Sequence, residues 1–417
     1  MKTDTITKQA VDYAQWYLDV IKAADLADHA PVRGCMVIKP YGYALWENIQ
    51  LVLDQKFKAT GVENAYFPLL IPESYLKKEA DHLEGFAPEL AVVTHAGGEK
   101  LTEPLVVRPT SETIIYAMFA KWISSYRDLP VVINQWVNVM RWEKRTRLFL
   151  RTSEFLWQEG HTAHATAEEA YERSQQMQEV YRSFVEDYMA IPVIAGTKSE
   201  SERFAGAETT YTIEAMMQDG KALQTGTSHV LSQHFTAAFK VKYLAADGQE
   251  KFVRSTSWGV STRLIGALIM AHGDDDGLIV PPRLAPIQVV IIPVWSKEED
   301  RAKVSQKCDT VGAKLQALGV RAKIDQRVGR PGPKFFEWEK KGVPVRMEIG
   351  PKDMASKSVL VVRRDELTKE SIAEKDLAKI PELLTAIQAN IFAKALKRRT
   401  KKTKQVDNAA ELFTQVE

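Results

Sequence analysis

The sequence predicts an α+β domain followed by a smaller α/β domain, and three observations predict it. Residues 130–161 contain two strand-like runs joined by a short polar loop, which is the pattern of an antiparallel hairpin. Segments with apolar residues at helical spacing lie on both sides of that hairpin. From Ile287 onward, a fully apolar strand is followed by alternating helices and strands, as in a small α/β domain. Pro281 and Pro282 mark the predicted boundary.

The composition is that of an ordinary globular protein of two or three domains, with 417 residues, 45% apolar and 26% charged. A net charge of +2 gives no general attraction to polyanions, so nucleic-acid contacts must come from local patches. Cys35 and Cys308 are far apart, which argues against a disulfide framework or a Cys-x-x-Cys metal pair and fits a reducing cytoplasm. We expect neither a secretory signal nor a membrane span, because no run approaches roughly 20 apolar residues.

The N-terminal part of the chain is predicted to alternate helices, turns and short strands. Residues 73–100 are polar, and we expect them to form a surface insertion over the site, with His82 and His95 in solvent. The other predicted elements are a helix over 5–28, a turn at 40–42, a helix over 45–60, a strand over 65–71 interrupted at Pro68, and a strand over 105–109.

The segment that follows carries the first candidate site residues. Thr110 or Ser111 can cap the N-terminus of a helix that ends near Ile123, which puts Glu112 in the first turn. A plain helix cap explains these residues. The same placement would also direct Thr110 and Glu112 into a pocket as acceptors for an amine.

The hairpin concentrates arginines, carboxylates and aromatic residues. Its first strand is predicted to end at Arg141 and Glu143, and its second to begin near Leu148 and to carry Arg151. A solvated sheet surface and the floor of a site for a flat, charged ligand are both compatible with this composition. Strand alternation after Arg151 puts one set of side chains on a common face: Ser153, Phe155, Trp157, Glu159 and His161.

Two further polar segments follow the hairpin. Residues 224–229 form a predicted polar bend, in which His229 is either a hydrogen-bonded structural residue or part of a ligand-facing loop. Trp258, Gly259 and Ser261 lead into a helix over 262–272 with Arg263 in its first turn. The acidic residues 274–276 suggest either a metal site or, as we prefer, a solvated loop. The remaining predictions are a helix over 165–188, a strand over 191–195, a polar turn at 203–206 and a strand over 211–217.

The second domain is predicted to end in a basic run. Residues 394–404 are either a solvated tail or a contact for an RNA backbone. The predicted elements before it are helices over 297–318, 334–341 and 366–396, and strands over 287–294, 321–324, 345–349 and 359–362.

Taken together, these motifs resemble those of the class II aminoacyl-tRNA synthetases. The helix, turn and proline-containing strand before residue 72 resemble motif 1, Arg141 to Phe155 resembles motif 2, and the segment from Trp258 to Arg263 resembles motif 3. The segments TSE at 110–112, RTSEFLWQEGH at 151–161, QTGTSH at 224–229 and GVPVRMEIGPKD at 342–353 are similar to the prolyl-tRNA synthetases of the archaeal- and eukaryote-like type.

This resemblance covers essentially the whole chain, and it implies an architecture. The expected catalytic domain, residues 1–282, has an antiparallel six-stranded sheet flanked by helices. A Rossmann-like anticodon-binding domain is expected over 283–396, and a basic linker or tail over 397–417. The family continues into a further C-terminal domain, often with cysteine zinc ligands, so we expect this chain to lack that domain, and we assign no zinc site.

The resemblance also implies an activity in the cytoplasm. The enzyme would activate L-proline with ATP and Mg²⁺ to prolyl-adenylate and pyrophosphate, and then transfer the prolyl group to tRNA(Pro). We expect a homodimer formed through motif 1, and no DNA or membrane partner. Because a methylene group is worth only about 1–3 kcal/mol of discrimination, we expect alanine and cysteine to be activated to some extent. No segment between the motifs is long enough for an internal editing domain.

The chemistry and the resemblance together suggest a role for each residue set. Adenylate formation needs an α-phosphate held between positive charges, for which the planar guanidinium groups of Arg141 and Arg263 are suited. The implied ATP set is Arg141, Glu143, Arg151, Thr152, Phe155, Gln224, Thr227, Ser261 and Arg263, with Gln224 also a candidate Mg²⁺ ligand. The implied proline set is Thr110, Glu112, Arg141, Trp157, Glu159, His161, Phe204 and His229. The implied anticodon set is Phe336, Glu339, Arg346, Lys352 and Asp353, whereas Trp338 is expected to pack in the core.

Two alternatives stay open at this point. One is a related class II synthetase for threonine, serine, glycine or histidine. The other is a non-catalytic RNA-binding relative that kept the fold, although such a protein should have lost Arg141 or Arg263, and both are present.

Overall fold

The computed structural model describes residues 5–77 and 90–416. His82 and much of the predicted 73–100 insertion lie outside the described residues. The described strands are β1 Ala27–His29, β2 Met36–Ile38, β3 Glu63–Asn64, β4 Leu70–Pro72, β5 Ala91–Ala96, β6 Glu99–Val107, β7 Val131–Met140, β8 Glu154–His164, β9 Val193–Thr197, β10 Thr209–Met216, β11 Ala222–Ser232, β12 Lys242–Leu244, β13 Glu250–Phe252, β14 Arg254–Ser261, β15 Val289–Pro293, β16 Ala322–Ile324, β17 Val345–Ile349, β18 Ser358–Arg363 and β19 Lys369–Ala373.

Helices surround these strands, and short 3₁₀ helices in the described ranges span Tyr126–Asp128, Glu200–Glu202 and Glu374–Lys379. The described α-helices are α1 Tyr13–Ala23, α2 Pro40–Lys58, α3 Glu73–Lys77, α4 Glu112–Trp122, α5 Ala167–Asp187, α6 His234–Ala238, α7 Arg263–His272, α8 Glu298–Ala317, α9 Pro331–Lys340, α10 Pro351–Ser356, α11 Ile380–Lys402 and α12 Ala409–Val416. Within these described ranges, no helix combines the length and the apolar character that a membrane crossing requires.

A seven-stranded sheet in the order β3-β7-β8-β14-β11-β10-β9 forms the centre of the larger domain. The six strands from β7 to β9 are antiparallel, as the fold class requires, and β3 adds a short parallel strand at the edge. One face of the sheet packs on a core that includes Trp46 of α2, Tyr181 of α5 and Leu268 of α7. Gly160 makes this packing possible, since a Cβ there would lie 2.1 Å from the Trp258 ring.

The pleat of β8 divides its side chains between the core and the opposite face. Gln158 and Gly160 face the helical core, whereas Trp157, Glu159 and His161 face a cavity. The predicted alternation of the hairpin is therefore confirmed. The predicted start of the second strand near Leu148 is wrong, because the strand begins at Glu154 and Arg151 lies in the connection between the two strands.

The smaller domain is a five-stranded sheet in the order β16-β15-β17-β18-β19. Strand β15 is parallel to both neighbours, which confirms the prediction from its apolar sequence. The helix predicted over 366–396 is wrong at its start, because residues 369–373 pair with β18 as an edge strand. Helix α11 begins only at Ile380, with Pro381 in its first turn, where a missing N–H does no harm.

Several N-terminal predictions also need correction. Residues 40–42 were predicted as a turn but open helix α2, since Pro40 suits a first helical position. Gly42 is there for close packing, because a Cβ would lie 2.2 Å from the Leu26 carbonyl oxygen. The strand predicted over 65–71 is mostly wrong, because β3 ends before it at Asn64 and β4 begins only at Leu70. The helix predicted over 5–28 shortens to Tyr13–Ala23. His95 is exposed, as expected.

The polar segments after the hairpin are more regular than predicted. Residues 224–229, predicted as a bend, lie within strand β11. A register shift opposite Ile213 and Glu214 leaves Thr225 without a direct partner, so the strand carries a bulge there. Asp275 and Asp276 are exposed, as expected for a solvated loop, whereas Asp274 is partly exposed and its carboxylate is bound by Arg364 of the smaller domain.

The basic run 394–404 forms the last turns of α11 up to Lys402 and contacts the larger domain. Arg398 Nη2 donates to the Ala271 carbonyl at 2.5 Å, and Arg399 Nη1 donates to the Val193 carbonyl at 2.7 Å. These arginines are therefore interdomain contacts rather than parts of a solvated tail.

Candidate active site

A cavity of about 280 Å³ opens on the face of the sheet opposite the helical core. Strands β8, β11 and β14, the start of α4 and the 198–204 segment surround it. All eight residues of the predicted proline set line it: Thr110, Glu112, Arg141, Trp157, Glu159, His161, Phe204 and His229.

A second cavity of about 330 Å³ adjoins the first. The two share Arg141, Phe155, Ser261 and Arg263. The other predicted ATP residues divide between them, with Gln224 and Thr227 in the first cavity and Glu143, Arg151 and Thr152 in the second. The structure thus brings together both residue sets, which lie far apart in the sequence.

Arg141 follows the last residue of β7 and is held at the junction of the two cavities. Its Nε donates to the Pro109 carbonyl at 3.0 Å. Its guanidinium carbon lies 5.5 Å from the Trp157 ring centroid and 5.6 Å from that of Phe155, within the range of cation–π attraction. The hydrogen bond to Pro109 and the rings of Phe155 and Trp157 together fix the orientation of the Arg141 guanidinium.

Arg263 begins helix α7, and its surroundings disfavour its charge. Burial, followed by the nearby charge of Arg151, lowers the pKa of the Arg263 guanidinium, and the carboxylate of Glu143 only partly offsets this. Its Nε approaches the Leu150 carbonyl at 3.4 Å. A bound anion would relieve the repulsion between the two arginines, so the site is suited to a phosphate group.

Gly259 opens the cavity beside Arg263. A Cβ at Gly259 would lie 2.8 Å from the Gln158 carbonyl oxygen, so no larger residue fits there. Arg151 is more exposed, and its Nε lies 2.7 Å from Glu143 Oε1 across the loop between the two hairpin strands. The Thr152 hydroxyl donates to the Glu154 carbonyl at 2.7 Å and fixes the start of β8.

A buried hydrogen-bond network surrounds Glu159 at the floor of the first cavity. Gln135 Nε2 donates to Glu159 Oε1 at 2.7 Å, and the Ser111 hydroxyl donates to the same oxygen. His161 Nε2 lies 3.2 Å from Glu159 Oε2, and an ionised carboxylate only accepts, so Nε2 carries the proton. Three donors on one carboxylate hold both Glu159 and the His161 ring in place.

The Thr-Ser-Glu segment works differently from a simple helix cap. Ser111 occupies the N-cap position of α4, but its hydroxyl makes no cap bond to the helix and instead reaches Glu159. The Thr110 hydroxyl donates to the Glu112 carboxylate. Thr110 and Glu112 are both buried and line the cavity, as expected if they point into a pocket as acceptors.

The two histidines of the cavity have opposite electrostatic properties. Burial alone would lower the pKa of His161, but the hydrogen bond to Glu159 and the charges of Glu112 and Glu159 raise it above its ordinary value of 6.5. Burial lowers the pKa of His229 to about 4, so this ring is neutral at physiological pH. Its Nδ1 lies 2.9 Å from the Thr210 hydroxyl, and its ring centroid lies 4.8 Å from that of Phe204.

Several buried polar atoms at the cavity have no hydrogen-bond partner within the described part of the chain. They are His161 Nδ1, Trp157 Nε1 and Ser257 Oγ. Buried polar atoms are nearly always paired in folded proteins, so unpaired atoms on a cavity wall point to a polar ligand.

Sequence reasoning missed some residues of this site. Lys198, Glu202, Thr210 and Ser257 line the cavity, and Gln135 supports it from β7. Arg108 is buried behind it, where it donates to the Phe67 and Asn138 carbonyls at 2.6 and 2.8 Å. The sequence could have indicated Gln135, because antiparallel pairing of the two hairpin strands puts it directly opposite Glu159.

A protein-only metal site is not present in the described ranges, where no three His, Cys, Asp or Glu side chains converge as a metal cluster. Gln224, the candidate Mg²⁺ ligand, lies in β11 next to the bulge and lines the first cavity. Both cysteines are buried and free.

Comparisons with known proteins agree with this geometry. A family model described as the tRNA synthetase class II core domain (G, H, P, S and T) matches residues 96–272, and one described as an anticodon binding domain matches residues 288–382. The chain is 58% identical to a proline–tRNA ligase of Chloroherpeton thalassium, over 99% of this chain and 86% of that protein. It is 61% identical to one of Symbiobacterium thermophilum, over 94% of this chain and 80% of that protein.

The chain belongs to the proline–tRNA ligase family. A member with a similar structure is a prolyl-tRNA synthetase from Cryptosporidium parvum, complexed with halofuginone and AMPPNP. The TM-score is 0.92 at 44% identity, over 97% of this chain and 84% of that one.

The residues predicted to bind the anticodon of a proline–tRNA ligase lie in the smaller domain and differ in exposure. Phe336 of α9 is 65% exposed and Lys352 is exposed. Arg346 is 8% exposed and pairs with Glu339 and Glu348 at 3.3 and 3.1 Å. Asp353 caps α10 by accepting the Gly350 amide at 2.8 Å, which is a structural role. Trp338 is buried and donates to Asp325 at 2.8 Å, as expected for a core residue.

Proposed function

We propose that this chain is a proline–tRNA ligase that forms prolyl-adenylate from L-proline and ATP and then transfers the prolyl group to tRNA(Pro). One observation carries the proposal. Two guanidinium groups, from Arg141 and Arg263, line a cavity that also contains a buried carboxylate network and unpaired polar atoms.

The cationic end of the cavity is assigned to ATP. Arg141 stabilises the α-phosphate while a proline carboxylate oxygen attacks phosphorus and pyrophosphate leaves, and Arg263 binds the departing phosphates. Phe155, beside Arg141, stacks on adenine, and Glu143, Thr152, Thr227 and Ser261 position the nucleotide. Arg151 is held by Glu143 and adds positive charge at the open side. These groups position and stabilise charge rather than transfer protons.

The acceptor end of the cavity is assigned to proline. The secondary ammonium of proline has two N–H groups, which meet the Thr110 hydroxyl, the Glu112 carboxylate and the Nδ1 lone pair of His161. Glu159 orients His161 through the bond at Nε2. The rings of Trp157, Phe204 and His229 form the walls around the pyrrolidine, and Arg141 meets the carboxylate.

Mg²⁺ is proposed to accompany ATP, where it neutralises phosphate charge. Mg²⁺ usually keeps several waters and is bound largely by the substrate phosphates, with few ligands from the protein. The Gln224 amide oxygen is the candidate protein ligand.

The remaining assignments concern partners and location. We propose that the smaller domain reads the anticodon through the exposed Phe336 and the Glu339–Arg346 pair.

A homodimer through the motif 1 region is supported by the exposed apolar residues Leu51 of α2 and Tyr66 after β3, which are 59% and 73% exposed. A cytoplasmic location, with tRNA and ATP, fits two free buried cysteines. The domain limits 1–282, 283–396 and 397–417 belong to this proposal, with helix α11 of the smaller domain continuing across the last limit to Lys402.

Pyrophosphate exchange tests the function directly. The purified chain is supplied with ATP, Mg²⁺ and labelled pyrophosphate, and each of the twenty amino acids is tested in turn, with and without tRNA. Proline should give the strongest exchange, with weaker signals from alanine and cysteine. Exchange that depends on threonine, serine, glycine or histidine would assign the chain to another class II synthetase. No exchange with any amino acid would favour a non-catalytic RNA-binding protein.

A further inference from the structure

A buried arginine, Arg364, joins the two domains outside both cavities of the candidate active site. Arg364 follows β18 and is 3% exposed. Its Nη1 and Nη2 donate to the two carboxylate oxygens of Asp274 at 2.8 and 2.6 Å. Its Nε donates to the Glu339 carbonyl at 2.8 Å. One planar side chain therefore holds a carboxylate of the larger domain and a backbone carbonyl of the smaller domain.

The Asp274 side of this contact leads to the ATP site. Asp274 follows helix α7, which begins at Arg263 and whose other nine residues are all buried. The Asp274 carbonyl is also fixed, since it accepts from Trp16 Nε1 at 2.8 Å. A ten-residue helix is about 15 Å long and behaves as a stiff rod. A displacement at Asp274 would therefore be carried to Arg263.

The Glu339 side of the contact leads to the proposed anticodon surface. Glu339 is next to the last residue of α9, which also carries the exposed Phe336. Its side chain pairs with Arg346 Nη1 at 3.3 Å, while its carbonyl accepts from Arg364. Arg364 binds the backbone of Glu339. An RNA base that rearranged the Glu339–Arg346 pair would therefore also act on the residue that Arg364 holds.

Two more contacts attach the end of α7 to the smaller domain. Arg398 donates to the Ala271 carbonyl at 2.5 Å, and a cation at a helix C-terminus is favourable for the helix dipole. The Leu278 amide, six residues beyond α7, donates to the carbonyl of Lys340, the last residue of α9, at 3.0 Å. The C-terminal end of α7 is thus attached to the helix that carries the proposed anticodon residues.

We propose that Arg364 is a positioning residue that couples the anticodon surface to Arg263 through Asp274 and helix α7. This inference rests on the proposed function. Binding of an anticodon loop at α9 changes the position of Arg364 and, with it, the position of the helix that presents Arg263 to ATP. Linkage requires the effect to be reciprocal, so ATP must change the affinity for the anticodon loop by the same factor.

The test uses the full chain and a synthetic RNA stem–loop with the anticodon sequence of tRNA(Pro). Two quantities are measured: the KM for ATP in proline-dependent exchange with and without saturating stem–loop, and the Kd of a fluorescent stem–loop with and without ATP. In the unmodified chain both should change by about fivefold or more. In Asp274→Asn, which keeps the shape but removes the charge that Arg364 binds, both changes should fall below about twofold, while the stem–loop still binds.

Asp275→Asn is the matched control, since this neighbouring carboxylate accepts only the Gln9 amide in the contacts described for it and should leave the coupling intact. If Asp274→Asn does not fold, Arg364→Lys replaces it, because Lys keeps the charge and loses the two-point geometry. The proposal is overturned if the stem–loop and ATP do not affect each other in the unmodified chain. It is equally overturned if the coupling persists in the Asp274 or Arg364 variant. Failure of the proposed function is distinct, because it would appear as absent exchange without any RNA.

Discussion

Arg141, at the end of β7, and Arg263, at the start of α7, line the same two adjoining cavities. Further along β8, the floor of the first cavity carries a buried carboxylate network around Glu159. The site therefore has a cationic end, which suits phosphates, and an acceptor end, which suits an ammonium group. The proposed reaction needs both ends close together, because the carboxylate of one substrate attacks the phosphate of the other.

The first prediction concerns adenine stacking. Phe155→Ala should raise the KM for ATP about tenfold, because stacking of a base on an aromatic ring is worth about 1–3 kcal/mol. The KM for proline should change far less, since Phe155 belongs to the proposed ATP set. Exchange kinetics at varied ATP measure both, and Phe155→Tyr should behave like the unmodified chain. An unchanged KM for ATP in Phe155→Ala would show that adenine binds elsewhere.

The second prediction concerns pH. Neutral His161 offers a lone pair to the proline ammonium, whereas the protonated ring repels it. Because the surroundings raise the pKa of His161 above 6.5, kcat/KM for proline should fall as pH decreases through a value above 6.5. His229, with a pKa near 4, cannot produce this decrease. In His161→Gln the decrease should disappear from that range. A pH profile that does not differ between the two proteins would exclude His161 as the titrating group.

The third prediction concerns the support of Glu159. Ser111→Ala removes a buried donor, which should lower the free energy of unfolding by about 1–3 kcal/mol. It should also raise the KM for proline more than the KM for ATP, because His161 depends on Glu159 for its orientation. Ser124→Ala is the control, since its exposed hydroxyl contacts only Asp128 in the bonds described for it. Equal effects on both KM values would reduce the role of Ser111 to stability.

The fourth prediction separates two aromatic residues of α9. Trp338 is 5% exposed, so Trp338→Ala should lower the free energy of unfolding by about 3–5 kcal/mol. Phe336 is 65% exposed, so Phe336→Ala should leave stability unchanged. It should instead raise the KM for tRNA in aminoacylation and leave tRNA-free exchange unaltered. Thermal unfolding and the two assays distinguish these outcomes, and normal tRNA kinetics in Phe336→Ala would remove it from the anticodon surface.

Periodicity and local chemistry predicted much of this fold. The alternation of Phe155, Trp157 and His161 depends only on the two-residue period of a strand, so it could be read from the sequence. The parallel strand β15 followed from its uniformly apolar sequence in the same way. Arg263 could be placed in the first turn of α7 because a glycine-containing strand leads directly into an apolar helix.

What the sequence could not predict depends on contacts between distant segments. Ser111 has the sequence pattern of a helix cap, yet a buried carboxylate from β8 is a stronger partner for its hydroxyl. The bulge at Thr225 depends on pairing with β10, which no local pattern reveals. Arg398 lies in a basic run typical of a solvated tail, and only the packing of α11 on the larger domain directs it to the Ala271 carbonyl.

Proline-dependent exchange in two variants, Arg141→Ala and Arg263→Ala, tests the central claim most directly. If the two guanidinium groups stabilise the transferring phosphates, each variant should lose about 100-fold or more in kcat/KM while its thermal unfolding stays close to that of the unmodified chain. Arg→Lys at each position, which keeps the charge without the fork, should recover only part of the loss. If a folded alanine variant at either position exchanged within about tenfold of the unmodified rate, that arginine would not act on the phosphates.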